Sequence, residues 1–320
     1  MPDRRPSRPP RRRPHRNSGA PVTAGIAAAA AMRQGNAMPR FLDLPPSITG
    51  QRWAWRHHEA EPGDLVRSLL LARGCAADEV ESHRNPTIRA FMPDPSIFRD
   101  MDAAAVRLAR AVQAGEKVTI FGDYDVDGAT SAAVLIRLLR ALGLEAGYYI
   151  PDRLMEGYGP SGEALVRLAR EGSTLIVTVD CGAQAFDALD MAREAGVDVI
   201  VVDHHKCSTE LPAALALVNP NRLDEEEGAR HGHLAAVGVA WLLGAALVRT
   251  LRQQGHFAAR AEPKLLDLLD IVALGTVADV AQLRGLNRAF VTQGLKVMGA
   301  RRNIGLDALL SASRLSRDPT

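Results

Sequence analysis

Six aspartates and two histidines stand out in the 320-residue chain because each follows or closes a short apolar run. Asp123, Asp125 and Asp127 alternate in GDYDVDG, directly after KVTIF (117–121). Asp180 follows TLIVTV (174–179), and Asp203 with His204 and His205 follows VDVIVV (197–202). Asp279 lies in GTVADV, beyond an apolar helical pattern at 263–275. Crowded carboxylates repel, so they must protonate or bind a cation. Oxygen ligands mixed with imidazole suit Mn²⁺ and, to a lesser degree, Mg²⁺. So many potential ligands suggest two divalent ions about 3.5–4 Å apart, a clamp suited to in-line attack on a phosphodiester.

Other uses of the same residues fare worse. Counted from Asp123, the first segment opens like a calcium loop with Gly128 sixth, but position twelve is Val134 rather than a Glu. A lone Asp after a strand is often a helix cap or a solvated group, and a His pair on an edge is often incidental. Four such elements in one alternating frame make coincidence improbable. Cys181 sits beside Asp180, yet no base is paired with it, as a thiolate nucleophile would need.

The elements that must position these residues alternate. KVTIF leads to a helix over 128–142, AGYYI (146–150) to one over 161–171, and TLIVTV to one over 184–195. VDVIVV and LALVNP (215–220) follow, then helices near 235–253 and 263–275. Short Val/Ile-rich strands alternating with helices indicate a parallel β-sheet covered by helices on both faces, an α/β fold. Ligands in such sheets sit at the carboxyl ends of the strands, where the acids fall. Upstream, residues 45–115 read as a short helical lead-in. There Ala105, Leu108, Ala109 and Val112 form an amphipathic stripe, with Asp102 as the expected cap and Gly115 as the stop. Residues 116–320 read as the catalytic domain.

Composition sets the outer bounds. With 47% hydrophobic and 24% charged residues the chain suits a globular protein. Net charge is +2, but residues 1–40 hold nine Arg against Asp3 alone, leaving −6 for the remaining 280 residues. The basic character therefore belongs to a Pro/Arg-rich tail, residues 1–44, expected to be disordered and either solvated or a phosphate-binding arm. Cys75, Cys181 and Cys207 show no zinc spacing and fit a reducing, cytoplasmic setting. The longest apolar run, 234–248, is 15 residues and too short to span a bilayer, so it reads as a buried helix and no membrane is expected.

The motifs IFGDYDVDGATSAAVL, VTVDCG, VVDHH and LGTVADVAQL resemble the four motifs of the DHH phosphoesterase superfamily. PDRLMEGYGPS (151–161), LPAALALVNPN (211–221) and AAVGVAW (235–241) are similar to segments of RecJ-type single-strand-specific exonucleases, over roughly residues 50–310. The resemblance implies a Mn²⁺- or Mg²⁺-dependent 5′→3′ exonuclease on single-stranded DNA, serving recombination and repair. It implies metal ligation by Asp125, Asp127, Asp180, His204 and Asp279, with Asp123 near them and Asp180 as the bridge. His205 then stands near the substrate phosphate, Asp203 orients the His pair, and Arg153 contacts phosphate. Gly157, Tyr158 and Gly159 are expected to shape Arg153's loop. Two departures are visible. The stretch 222–241 lacks the Cys-x-Phe of these exonucleases, and His231 and His233 there read as loop residues. The Gly-rich second domain and the OB-fold of the family have no counterpart in the 320 residues, so a truncated form with a separately encoded second half is expected. The alternatives are a DHH phosphodiesterase acting on short oligonucleotides or cyclic dinucleotides, and an inactive fragment or scaffold.

Overall fold

The computed structural model describes residues 45–52 and 63–313. The tail expected over 1–44 lies outside the described residues. The chain divides between Val80 and Glu81 into two units. In the first, helix α1 (Leu65–Ala72) is capped by Asp64, whose Oδ1 accepts from the Arg67 N–H at 2.9 Å.

The second unit is built on five parallel strands, β1 (Val118–Gly122), β2 (Gly147–Tyr149), β3 (Leu175–Val179), β4 (Asp198–Val202) and β5 (Ala216–Val218), in the order β2-β1-β3-β4-β5. Successive side chains on a strand point to opposite faces. Ile120, Val177, Ile200 and Val202 accordingly enter one core, and Phe121, Ile176, Val199 and Val201 enter the other. Both faces are covered, which explains the nearly continuous apolar runs. Helices α2 (Met101–Ala114), α3 (Val126–Ala141), α6 (Ala236–Gln253), α7 (Leu269–Ala278) and α8 (Gly285–Gly299) contribute to the first core. Helices α4 (Gly162–Arg170) and α5 (Phe186–Glu194) contribute to the second.

The stripe of α2 is buried as its periodicity requires, and Gly115 closes the helix at φ +65°. The start differs from expectation. Asp100, at φ +61°, is the N-cap residue, and it makes no side-chain cap. Its Oδ2 instead accepts from the Leu217 N–H (3.1 Å) and from Arg222 Nη1 (2.6 Å), tying the edge strand β5 to α2. Asp102 is spent on Ser96 and Arg249. The helix anticipated over 263–275 begins as a 3₁₀ turn and becomes α-helical only at Leu269. Helix α8 and helix α9 (Ile304–Ala312) are two elements beyond those expected from the sequence. The apolar run 234–248 is mostly buried within α6. Among the described residues no helix is long and apolar enough to cross a membrane.

Candidate metal centre

Register sets the site. Gly122 pairs with Val179 and Val179 with Val202, so β1, β3 and β4 end level with one another. The next residues are Asp123, Asp180 and Asp203, and their N–H groups donate to Val179, Val202 and Val218 at 3.2, 2.9 and 3.0 Å. Three carboxylates therefore stand side by side on adjacent strands, beside the point where strand order reverses. They are 3%, 2% and 1% exposed.

The remaining acids are brought in by helix ends. Asp125 caps α3, its Oδ1 accepting from the Gly128 N–H at 2.9 Å. That turn needs glycine, because a Cβ on Gly128 would lie 2.5 Å from the Asp123 carbonyl oxygen. Asp127, buried in the first turn of α3, accepts from the N–H groups of Ala236 (2.7 Å) and Val237 (2.9 Å). It thus serves the otherwise uncapped start of α6. Asp279 sits at the end of α7, followed by Val280 at φ +57°.

The two histidines are oriented differently. His204 Nδ1 lies 3.1 Å from the Leu234 carbonyl, which can only accept, so Nδ1 carries the hydrogen. Its Nε2 faces Asp180 Oδ1 at 3.2 Å and Asp127 Oδ2 at 3.9 Å. His205 Nδ1 donates to Asp203 Oδ1 at 2.8 Å. The same oxygen accepts from the N–H groups of His204 and His205, and Oδ2 from that of Ala183. Asn219 and Asn221 fasten the histidine backbone, donating to the carbonyls of His205 (2.8 Å) and His204 (2.6 Å). Neither asparagine was singled out from sequence, though both lie in the quoted VNPN segment.

Titration follows from these surroundings. Burial and the charge of Asp125 raise Asp123. Burial and the charges of Asp127 and Asp125 raise Asp180, against the pull of His204. Burial, with the charge of Asp279, raises Asp127. Burial and Asp125 raise Asp279. Burial opposes a charge on His204, yet Asp180, Asp127 and Asp279 together raise it. Asp203 goes the other way. Burial would raise it, but the bond from His205 and the amide donors hold it low, and the same bond raises His205. Burial and nearby carboxylates keep the Cys181 thiol well above its ordinary value, so it is no thiolate nucleophile.

Three ligand sets emerge, each with ligand atoms within 4.8 Å of one another: Asp180, His204 and His205; Asp127, His204 and Asp279; and Asp123, Asp125 and Asp180. Asp180 and His204 are each shared by two sets. With its hydrogen committed to Leu234, neutral His204 turns an Nε2 lone pair toward a carboxylate oxygen. Only a proton or a cation between them satisfies both. Asp123 Oδ1 is buried without a partner, and among the described residues no Lys or Arg pairs with Asp123, Asp125, Asp127, Asp180 or Asp279. The buried acids Asp123, Asp127 and Asp180 must therefore take up a proton or a counter-cation, and a His held by a backbone carbonyl is the usual setting of an imidazole ligand. The donor set fits divalent cations.

Arg153 is exposed, its guanidinium 4.9 Å from the ring centre of Tyr124, the residue between Asp123 and Asp125. Tyr158, expected only to shape the loop, reaches the site. Its hydroxyl lies 3.3 Å from the Asp180 carbonyl and 3.4 Å from His205 Nδ1. His231 and His233 belong to none of the three sets.

Residues 117–276, half of the chain, match the DHH family, N-terminal domain. The chain belongs to this family. The single-stranded-DNA-specific exonuclease RecJ of Dickeya dadantii (strain 3937) is 44% identical to this DHH chain over 254 residues, 78% of the chain and 43% of that protein. RecJ of Bacillus subtilis (strain 168) is 38% identical over 253 residues, 78% of the chain and 30% of that protein. The crystal structure of RecJ from Thermus thermophilus in complex with Mn²⁺ matches with a TM-score of 0.61 and 34% identity, covering 78% of this chain and 34% of that one. The DHH chain thus spans less than half the length of each of these relatives.

Proposed function

We propose that this chain carries the catalytic machinery of a metal-dependent 5′→3′ exonuclease that hydrolyses phosphodiester bonds of single-stranded DNA, with residues 116–320 as its catalytic domain and 45–115 as the lead-in. The observation that carries the reading is the level row of Asp123, Asp180 and Asp203, with His204 Nε2 turned onto Asp180. The RecJ relatives, whose names specify single-stranded DNA, supply the substrate. Asp123, Asp125, Asp127, Asp180, His204 and Asp279 would hold two divalent cations, Mn²⁺ in preference to Mg²⁺, and Asp180 belongs to two of the ligand sets. Such cations neutralise charge on a phosphate and acidify water. Around them the chain's own groups divide the work. Asp203 fixes the His205 ring, so that its Nε2 can hold or deliver a proton beside the scissile bond. Arg153, carried on Tyr124, binds a phosphate oxygen. A cytoplasmic place of action belongs to the same proposal, supported by three free cysteines.

The test is Mn²⁺-dependent release of mononucleotides from a single strand labelled at either end, with a chelator and Asp180→Asn as controls. Cleavage confined to oligonucleotides of a few residues or to cyclic dinucleotides would transfer the site to the alternative DHH phosphodiesterase reading. Mn²⁺-dependent cleavage that survives in Asp180→Asn would defeat the assignment of the centre.

A further inference from the structure

Arg153 has no packed frame of its own. It stands in the loop between β2 and α4, where the neighbouring Leu154 and Met155 are 92% and 84% exposed. A side chain on so open a loop keeps a defined place only if the backbone beneath it is tied down, because an untied loop must be ordered anew at each binding event. The ties are specific. Asp152 Oδ1 accepts from the N–H groups of Leu154 (2.8 Å) and Met155 (3.1 Å), and the Asp152 carbonyl accepts from the Glu156 N–H at 2.8 Å. Glu156 closes the turn from the other side, its Oε1 accepting from the Asp152 N–H at 2.9 Å. Arg153 is thus enclosed in a ring of bonds between Asp152 and Glu156.

Glu156 also fastens that ring to the sheet. Its Oε2 accepts from the Tyr149 hydroxyl at 2.5 Å. Tyr149 ends β2 in register with Phe121, and the two rings lie 5.2 Å apart. The same hydroxyl accepts from Arg167 Nη2 of α4 at 2.6 Å, and the Arg167 guanidinium lies 5.1 Å from the ring centre. A hydroxyl has one hydrogen, and with Arg167 donating to its oxygen that hydrogen goes to Glu156. The bonds from Tyr149 and Asp152 hold the Glu156 carboxyl below its ordinary range, so it stays an acceptor at neutral pH. Both acids flanking Arg153 are engaged in this way, and among the described residues neither forms an ion pair with it. The Arg153 guanidinium remains over Tyr124.

We propose that Glu156 is a positioning residue, which through Tyr149 sets the Arg153 guanidinium where a phosphate of the strand lies against the carboxylate row. The inference rests on the phosphate-binding role of Arg153 proposed above, and it assigns the reach of that guanidinium to an acid that does not itself touch the strand. Without Glu156 the guanidinium is still present but no longer preorganised, and binding must order it.

Two measurements on the full chain test this. Trypsin cuts after Arg153 only when the loop opens, so Glu156→Ala and Tyr149→Phe should be cut there several-fold faster than the wild type at an unchanged Tm. Glu156→Gln, which keeps an acceptor for Asp152 and turns an amide toward Tyr149, should fall between. The second measurement is Mn²⁺-dependent cleavage of a thymidine decamer. Glu156→Ala should raise KM about tenfold while changing kcat far less. In an Arg153→Ala chain the same substitution should add little, because an absent guanidinium cannot be misplaced. Faster cutting after Arg153 in Glu156→Ala, with no strand cleaved by the wild type, would overturn the nuclease reading and keep the Glu156 tie. Strand cleavage by the wild type with a KM that Glu156→Ala leaves unmoved, or raises equally in the Arg153→Ala chain, would overturn the positioning role and keep the nuclease. Unchanged trypsin cutting in both Glu156→Ala and Tyr149→Phe would overturn it as well.

Discussion

Asp180 is held at φ +62° and buried beside other acids, with His204 Nε2 at 3.2 Å. Without a cation its charge is a cost to the fold. Its folded pKa is raised, so the folded state binds more protons than the unfolded one, and stability falls as pH rises above the ordinary carboxylate value of 3.8. Asp180→Asn keeps the shape and tolerates the left-handed backbone. In metal-free buffer it should melt above the wild type, by a margin that grows from acid to alkaline pH, and it should lose most of any Mn²⁺-induced rise in Tm. Thermal scans across pH, with and without Mn²⁺, check both. Asp127 should behave oppositely, because both its oxygens serve the α6 amides. Asp127→Ala leaves those buried donors unpaired and should cost about 1–3 kcal/mol by denaturant titration.

The first turn of α3 can approach the end of β1 only through Gly128, which faces Asp123 backbone atoms at 2.5 to 2.8 Å from an added Cβ. Backbone cannot rotate away as a long side chain can. Gly128→Ala should therefore shift α3 from the strand end, costing on the order of 1–3 kcal/mol and abolishing Mn²⁺ binding by calorimetry. The turn Gly228–His231 supplies a pH-dependent feature of its own. Burial, with Arg230 and His233 nearby, lowers His231 to about 4 from 6.5. Between those values the unfolded chain binds the extra proton, so this contribution is complete above pH 6.5 and is lost as pH falls toward 4. His231→Asn should flatten that part of the stability–pH curve, which chemical denaturation from pH 4 to 7 would show.

Across the whole molecule, charge is segregated. Residues 1–40 carry nine Arg, and the remainder carries −6, a sign that repels a polyanion except where cations are bound. Single-strand affinity should therefore fall on removal of divalent cations. A chain starting at Met38 lacks eight of the nine tail arginines and should bind single strands with a shallower dependence on salt. Fluorescence anisotropy over a salt series distinguishes an arm that binds phosphate from a solvated one. An unchanged slope would exclude the arm.

Local pattern determined the elements and the identity of the acids. Val/Ile runs, helical periodicity and Asp at the end of each run are all written within a few residues, so β1, β3, β4 and their carboxylates were legible. Tertiary structure decided the partnerships. Nothing near Asp127 indicates that it accepts from amides of Ala236 and Val237, more than a hundred residues on. Nothing near His204 indicates that Leu234 settles which nitrogen faces the acids. Asp102 looked like a cap by spacing, and the fold used Asp100 for β5 and Asp102 for Arg249 instead. Tyr158 came to lie beside His205 only because the loop after β2 crosses to the ends of β3 and β4. Propensity and periodicity act between near neighbours, whereas a buried donor or acceptor is satisfied by whatever packing brings within about 3 Å, at any separation along the chain.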